Sequence, residues 1–231
     1  MEQFAGETKN KPSNEKRKPK GEIKFQVTLN NEQKEAKRLI LANDITILKG
    51  QAGSGKSLVA VQIALDLLFK REVEKIIITR PLVTSGEDTG YLPGGIKEKT
   101  DPFTAPVYDN MYRCYGKEKI DKCVVDGTIE VIPFAFMRGR NMTNAIIIAD
   151  ECQNITHKQM ELLLGRMCKG SKMILCGDNA QIDLKDKRQS GFDFLCKHMK
   201  DVNGFAQFSL KTNHRHPIVE DILKIYKEFN D

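Results

Sequence analysis

Three short groups of residues in this chain have the types and the spacing to act on a phosphate. The first is GQAGSGKS, Gly50–Ser57, which matches the pattern GxxxxGK[ST]. It stands between a short apolar strand, ITILKG, and an apolar helix, SLVAVQIALDLLFKR, the setting such a loop needs to hold a phosphate chain. Gly50, Gly53 and Gly55 let the backbone curl until successive N–H groups converge on phosphate oxygens. Gln51, Ala52 and Ser54 complete the loop. The helix that follows points the positive end of its dipole at the same place. Lys56 is then placed to reach the β- and γ-phosphates, and the Ser57 hydroxyl to reach Mg2+.

The second group is IIIADE, Ile146–Glu151, an apolar strand that ends in two adjacent carboxylates. Like charges at the rim of an apolar core repel each other and lose hydration. A divalent cation relieves that repulsion, so Asp150 is expected to face the magnesium of a bound nucleotide. Glu151 is one residue further on and free to polarise the water that attacks the γ-phosphate. The third group, CGDNAQ, ends the next strand. There Gln181 could bond both the γ-phosphate and the attacking water. Together the three groups imply Mg2+-dependent hydrolysis of a nucleoside triphosphate.

Such residues need a rigid frame. ITILKG, KIIITR, GTIEVIPFAF, NAIIIAD, SKMILCGD and FAQFSL read as strands that are nearly continuous in apolar side chains. Amphipathic segments lie between them, among them TLNNEQKEAKRLILAND, APVYDNMYRCYG, THKQMELLLGRM with Thr156 as its N-cap, and HPIVEDILKIYKEF. Strands of that kind alternating with helices predict a mainly parallel sheet covered on both faces, a three-layer α/β fold. Residues 1–22 are lysine-rich and nearly free of large apolar side chains, and read as a flexible basic arm or a solubilising tail. Residues 23–231 form the single expected domain.

Composition narrows the setting. No apolar run approaches the roughly 20 residues that span a bilayer, and the N-terminus has no apolar signal core. A cytoplasmic protein without a membrane partner is expected. The six cysteines are scattered with no CxxC pair, which disfavours a zinc ribbon or a disulfide framework. A net charge of +6 is a weak pointer to polyanionic partners.

The order of the three groups resembles the motifs of superfamily 1 helicases. The segments GQAGSGKS, ITRPLV, GEDTGYLPGGIKEKTDPFTAPVYDNM, PFAFMRGRNMTNAIIIADECQN, GDNAQIDL and NHRHPIVEDIL together resemble the PhoH-like family from Glu32 to Ile225. YLPGGIKEKTDPF and FMRGRNM are the most specific of these. The resemblance implies a RecA-like P-loop ATPase domain acting on RNA or single-stranded DNA. It also implies that Gln33 reads adenine, the competing reading being an exposed helix glutamine. Arg215 is similar to the late arginine of such domains, which contacts the γ-phosphate. Arg80 would touch a nucleic-acid strand; Arg138 and Arg140 would face nucleic acid or a neighbouring subunit's nucleotide, or would be plain surface arginines. His214 and His216 flank Arg215 without a third metal ligand and are expected to be structural.

Superfamily 1 helicases close two such lobes over ATP, and this chain is long enough for one. Either Arg215 then acts in cis, or a neighbouring copy supplies Arg138 or Arg140 across a head-to-tail interface, and the second option predicts a homo-oligomer, a hexameric ring among the options. Two other readings compete with the ATPase. One is a nucleoside kinase of the thymidine-kinase type, which pairs a similar loop with a DExQ string but carries a four-cysteine zinc ribbon. The other is an ATP-gated nucleic-acid-binding module with little turnover. Phe134 and Phe136 are candidate base-stacking side chains, and core packing accounts for them equally well.

Overall fold

The computed structural model describes residues 23–81, 96–199 and 201–230. The basic arm and the YLPGG stretch lie outside the described residues. Six strands form one sheet in which every neighbouring pair is parallel: β1 (Ile45–Gly50), β2 (Lys75–Arg80), β3 (Ile129–Pro133), β4 (Ala145–Ala149), β5 (Lys172–Gly177) and β6 (Phe205–Leu210). Across the sheet they run β3-β2-β4-β5-β1-β6. Parallel strands need long crossovers, and helices supply them. The helices are α1 (Asn31–Ala42), α2 (Lys56–Phe69), α3 (Ile96–Cys114), α4 (Lys117–Val125), α5 (His157–Leu164), α6 (Gly191–His198) and α7 (Pro217–Asn230); α1 precedes β1, α7 follows β6, and the others lie between strands.

Alternate residues of each strand feed opposite cores. Leu48, Ile76, Ile78, Ile146, Ile148 and Ile174 pack with α1–α4 on one face. Ile47, Ile77, Ile147, Met173 and Leu175 pack with Met160 and Leu163 of α5 and Phe192 and Leu195 of α6 on the other. All five residues of β4 are buried. This is the three-layer RecA-like α/β arrangement. Among the described residues no helix is long and apolar enough to cross a membrane.

Local chemistry sets the helix ends. Asn30 opens α1 with a capping box: its side chain accepts the Gln33 N–H at 2.8 Å, and Gln33 Oε1 accepts the Asn30 N–H at 3.0 Å. At α5 the expected cap, Thr156, donates its N–H to Gln159 Oε1 at 2.9 Å, the pairing that satisfies an orphan donor at a helix start. The strand predicted across residues 127–136 is shorter, because its ladder stops at Pro133 and Phe134–Phe136 turn into a 3-10 helix. Phe134 is buried there and Phe136 is exposed. Helices α4 and α6 are additions to the sequence reading; each is short, and α6 starts at a glycine. At the far edge, α7 leaves Ile218, Ile222, Ile225 and Phe229 exposed.

Candidate nucleotide-binding site

The parallel order brings the C-terminal ends of β1, β4 and β5 side by side, with Ala149 opposite Leu175 and Lys49 opposite Gly177. Side chains beyond those ends converge on a cleft of about 610 Å3, where open α/β sheets take their ligands. Gly53 and Gly55 both sit in the left-handed region, with φ of 88° and 84°. A Cβ on Gly53 would lie 2.7 Å from Arg215 Cγ, and one on Gly55 would lie 3.1 Å from Gln33 Nε2. Only glycine satisfies both the dihedral and the space there. Lys56 Nζ donates to the carbonyls of Gly50 at 2.6 Å and Gln51 at 3.1 Å, so the ammonium lies folded over its own loop. Ser54 is buried, and its Oγ has no hydrogen-bond partner among the described residues. Gln51 is exposed; Ala52 lines the cleft.

The two carboxylates are in different surroundings. Asp150 is 8% exposed, and Ser57 Oγ lies 3.0 Å from both of its oxygens, donating to the carboxylate. Burial, and then the neighbouring Glu151 charge, push the Asp150 carboxyl above the ordinary range, against the opposing pull of Arg80 and Ser57. A bound cation would stabilise a charged carboxylate in that place. Glu151 faces the cleft with φ of 54°, a left-handed conformation that is uncommon outside glycine and costs about 1–3 kcal/mol. Two side chains hold it: Arg80 donates at 3.2 Å and Gln153 Nε2 at 2.7 Å.

The other predicted residues divide between the cleft and the surface. Gln181 lines the cleft and donates to Asp178 Oδ2 at 2.5 Å. Gln33 is 4% exposed, which overturns the exposed-glutamine alternative: the residue is fixed by the α1 cap, and its Nε2 lies 3.5 Å from His214 Nε2. Arg215 is exposed and lines the cleft beside Gly53, while His214 donates its N–H to the Gly53 carbonyl at 3.0 Å. Glu32 secures that loop, accepting the N–H groups of Lys211 at 2.6 Å and Thr212 at 3.1 Å. Arg80 is part-exposed and donates to Glu151 at 3.2 Å. Arg140 pairs with Glu130 at 2.6 Å, and neither Arg138 nor Arg140 lines the cleft.

Residues that the motifs did not announce also line it. Val27, Thr28 and Asn30 come from the segment before α1, and Asn110 and Arg113 from one face of α3. The N–H of Gln26 donates to the Cys114 carbonyl at 3.0 Å, tying the two segments together. Asn110 and Arg113 are three apart on a helix, a spacing that the sequence did display. Asp178 was visible in the GDxxQ string, where the glutamine drew the reading.

The sequence profile described as PhoH-like protein matches residues 27–227. The chain belongs to the PhoH-like family. A PhoH-like protein of Synechocystis is 41% identical over 197 residues, covering 84% of this chain and 60% of that protein. One of Bacillus subtilis is 39% identical over 200 residues, covering 86% and 63%. Protein PhoH of Escherichia coli is 41% identical over 196 residues, covering 83% and 54%. The chain thus spans about three fifths of the length of these relatives. Among solved structures it is similar to the UvsW helicase from bacteriophage T4, with TM-score 0.51 and 19% identity, over 79% of this chain and 60% of that one. It is also similar to the large terminase of a thermophilic bacteriophage, with TM-score 0.53 and 9% identity, over 86% and 50%. At those identities the likeness is one of fold. A PhoH-like chain with this fold and this loop has the frame of a P-loop nucleoside triphosphatase.

Proposed function

We propose that this PhoH-like protein hydrolyses ATP to ADP and phosphate with Mg2+, and couples that reaction to binding or remodelling RNA or single-stranded nucleic acid. The observation that carries the reading is the 3.0 Å approach of Ser57 Oγ to the buried Asp150 carboxylate. The loop's hydroxyl and the acid at the end of β4, 93 residues apart in sequence, meet where a phosphate-bound cation would sit. The residues suit that cation, because Asp150 is an anion held out of water. Ser57 and Asp150 would hold the magnesium, which draws charge from the phosphate oxygens when bound.

The chain's own groups would then divide the work. Backbone N–H groups from Gly50 to Lys56 cradle the phosphates, and Lys56 exchanges its two loop carbonyls for phosphate oxygens. Glu151 accepts a proton from the attacking water and orients it. Gln181 bonds the same water or the γ-phosphate. Arg215, at the open side of the loop, is placed to stabilise charge on the equatorial oxygens. Gln33 and the segment from Val27 to Asn30 face the other end of the cleft, where the adenine and ribose belong.

The basic charge of the chain supports a polyanionic partner. Because Arg215 is exposed at the open side of the cleft, a neighbouring copy of the chain is the proposed partner across it. Phosphate release measured with and without single-stranded RNA or DNA, over a salt series, tests the reading. Lys56→Ala should reduce turnover to background, with no nucleoside acceptor required by the wild type. Turnover unchanged by Lys56→Ala would overturn it. Light scattering that finds a fully active monomer would remove the oligomer.

A further inference from the structure

The string DECQN contributes a side chain that the hydrolytic roles above leave unused. Gln153 is 1% exposed, so no ligand in the cleft can touch it, yet both ends of its amide are engaged. Nε2 donates to Glu151 Oε2 at 2.7 Å. Oε1 accepts the N–H of Asp178 at 3.2 Å. The orientation is dictated by chemistry: a carboxylate requires a donor and a backbone N–H an acceptor, so the reversed amide would leave both ends opposed. Asp178 in turn accepts Gln181 Nε2 on Oδ2 and the Ala180 N–H on Oδ1 at 3.0 Å. A continuous chain of hydrogen bonds therefore leaves the cleft at Gln181, runs through Asp178 and the buried Gln153, and returns to the cleft at Glu151.

We infer that Gln153 is a positioning residue that fixes Glu151 for attack and makes its placement depend on the Asp178–Gln181 turn. The inference rests on the proposed hydrolysis. Its physical basis is the left-handed backbone of Glu151, which persists only where surrounding bonds over-determine it. Arg80 holds one carboxylate oxygen from the β2 side; Gln153 holds the other and is the sole link of the two that reaches the β5 turn. A contact that shifts Gln181 would move Asp178, then the amide, then the carboxylate. An amide suits this task better than a charged group, since it bonds an anion at one end and a donor at the other without titrating.

The local fold has other ties. Asn154 and Asp183 exchange two hydrogen bonds, at 2.8 and 3.1 Å. Ser190 Oγ donates to the Gln153 carbonyl at 2.8 Å, and the Gly191 N–H to the Ile155 carbonyl at 2.8 Å. Removing the amide by Gln153→Met, which keeps length and removes both polar ends, leaves these in place. Gln153→Glu keeps an acceptor for Asp178 and sets a second carboxylate against Glu151.

The test measures kcat and ATP affinity for the wild type, Gln153→Met, Gln153→Glu, Gln181→Ala and Gln153→Met with Gln181→Ala. Gln153→Met should lower kcat about 10- to 100-fold, the effect of a small misplacement of a reacting group, with ATP affinity within about twofold and Tm close to wild type. Gln153→Glu should fall lower still. Gln181→Ala should cost markedly less in the Gln153→Met background than in the wild type, because the two residues share one connection. Full additivity, an unchanged kcat, or a parallel loss of ATP binding would each overturn the inference. Those outcomes are distinct from failure of the hydrolysis reading, in which the wild type itself would show no Lys56-dependent phosphate release.

Discussion

Two strand ends deliver residues to the same cleft, and they are built differently. Strand β4 is central and wholly buried, and the two residues after it are tied to β2, to the nucleotide loop and to the β5 turn through Thr79, Ser57, Arg80 and Gln153. Strand β6 lies at the sheet edge with most residues half-buried, and the loop beyond it carries an exposed Arg215, held through neighbours that bond Glu32 and the Gly53 carbonyl. The acids proposed to hold a cation and a water have a rigid mount, while the arginine proposed to meet transferred charge sits on the exposed margin. A preorganised acid does not need to move during reaction; an arginine that closes over a substrate does.

The largest test of this contrast is Asp150→Asn. Phosphate release should fall by about a hundredfold or more, while the fold without metal or nucleotide becomes more stable by about 0.5–2 kcal/mol, since a buried charge is relieved. The sign follows from the raised Asp150 carboxyl. A folded value above the unfolded one means that the folded state binds the extra proton. Wild-type stability without metal therefore declines as pH rises from the ordinary carboxylate range to the raised value. Thermal melts over that window should show the decline in the wild type and not in the variant; a destabilised Asp150→Asn would contradict the rigid-mount account.

Arg215→Ala comes next. Turnover should drop by about a hundredfold, and Tm should stay at the wild-type value because the side chain is exposed. A large loss of Tm would mean that the edge loop is as structural as β4. Glu32→Gln probes how that loop is held. Desolvation raises the Glu32 carboxyl, but the backbone bonds from Lys211 and Thr212 outweigh it and the group lies below its usual range. The variant should exchange the amides of residues 211–215 faster, with roughly a threefold fall in kcat; unchanged exchange would sever the link between α1 and Arg215.

The smallest effect belongs to a position outside both strand ends. Asp66 of α2 is buried, and Lys37 and Lys70 bond its carboxylate. Desolvation would raise it, but the pull of the two lysines exceeds that, so the group is held below its usual range. Its contribution is present above the unfolded value and is lost as pH falls through the folded one. Asp66→Asn should lower stability by about 1 kcal/mol at neutral pH, discounted because both lysines are part-exposed. The urea midpoints of variant and wild type should begin to converge as pH falls through the ordinary carboxylate range, about pH 4, and meet only below it; a constant gap would point to packing instead.

The phosphate loop, the acid pair and five of the six strands were legible because each depends on local pattern: glycine spacing, an apolar run, a change of period. The end of β3 was not. Its ladder stops at Pro133, which supplies no N–H, and the apolar Phe134–Phe136 run was indistinguishable from more strand. Helices α4 and α6, nine and eight residues long, were not legible because each opens at a glycine, Gly116 before α4 and Gly191 in α6, a residue that punctuates a sequence as loop. Gln33 was legible as a candidate, but its burial came from the Asn30 cap and the His214 loop, 181 residues away. Arg80 and Arg140 were legible as cations only. That Arg80 had an acidic partner, Glu151, depends on the pairing of β2 with β4, and that Arg140 had one, Glu130, on the turn that follows β3; no string displays either. Asn110 and Arg113 entered the cleft by the same route, through the tie between Gln26 and Cys114.

Strand β1, which leads into the phosphate loop, lies between β5 and β6, the two strands of the sheet that leave the ribosome last. Newly made loop residues must therefore wait until Leu210 has been added before both flanks of their strand are filled. Such distant pairings form late. ATP capture by a nascent chain would thus report that synthesis has passed β6, and the same ligand would drive the last assembly step toward completion.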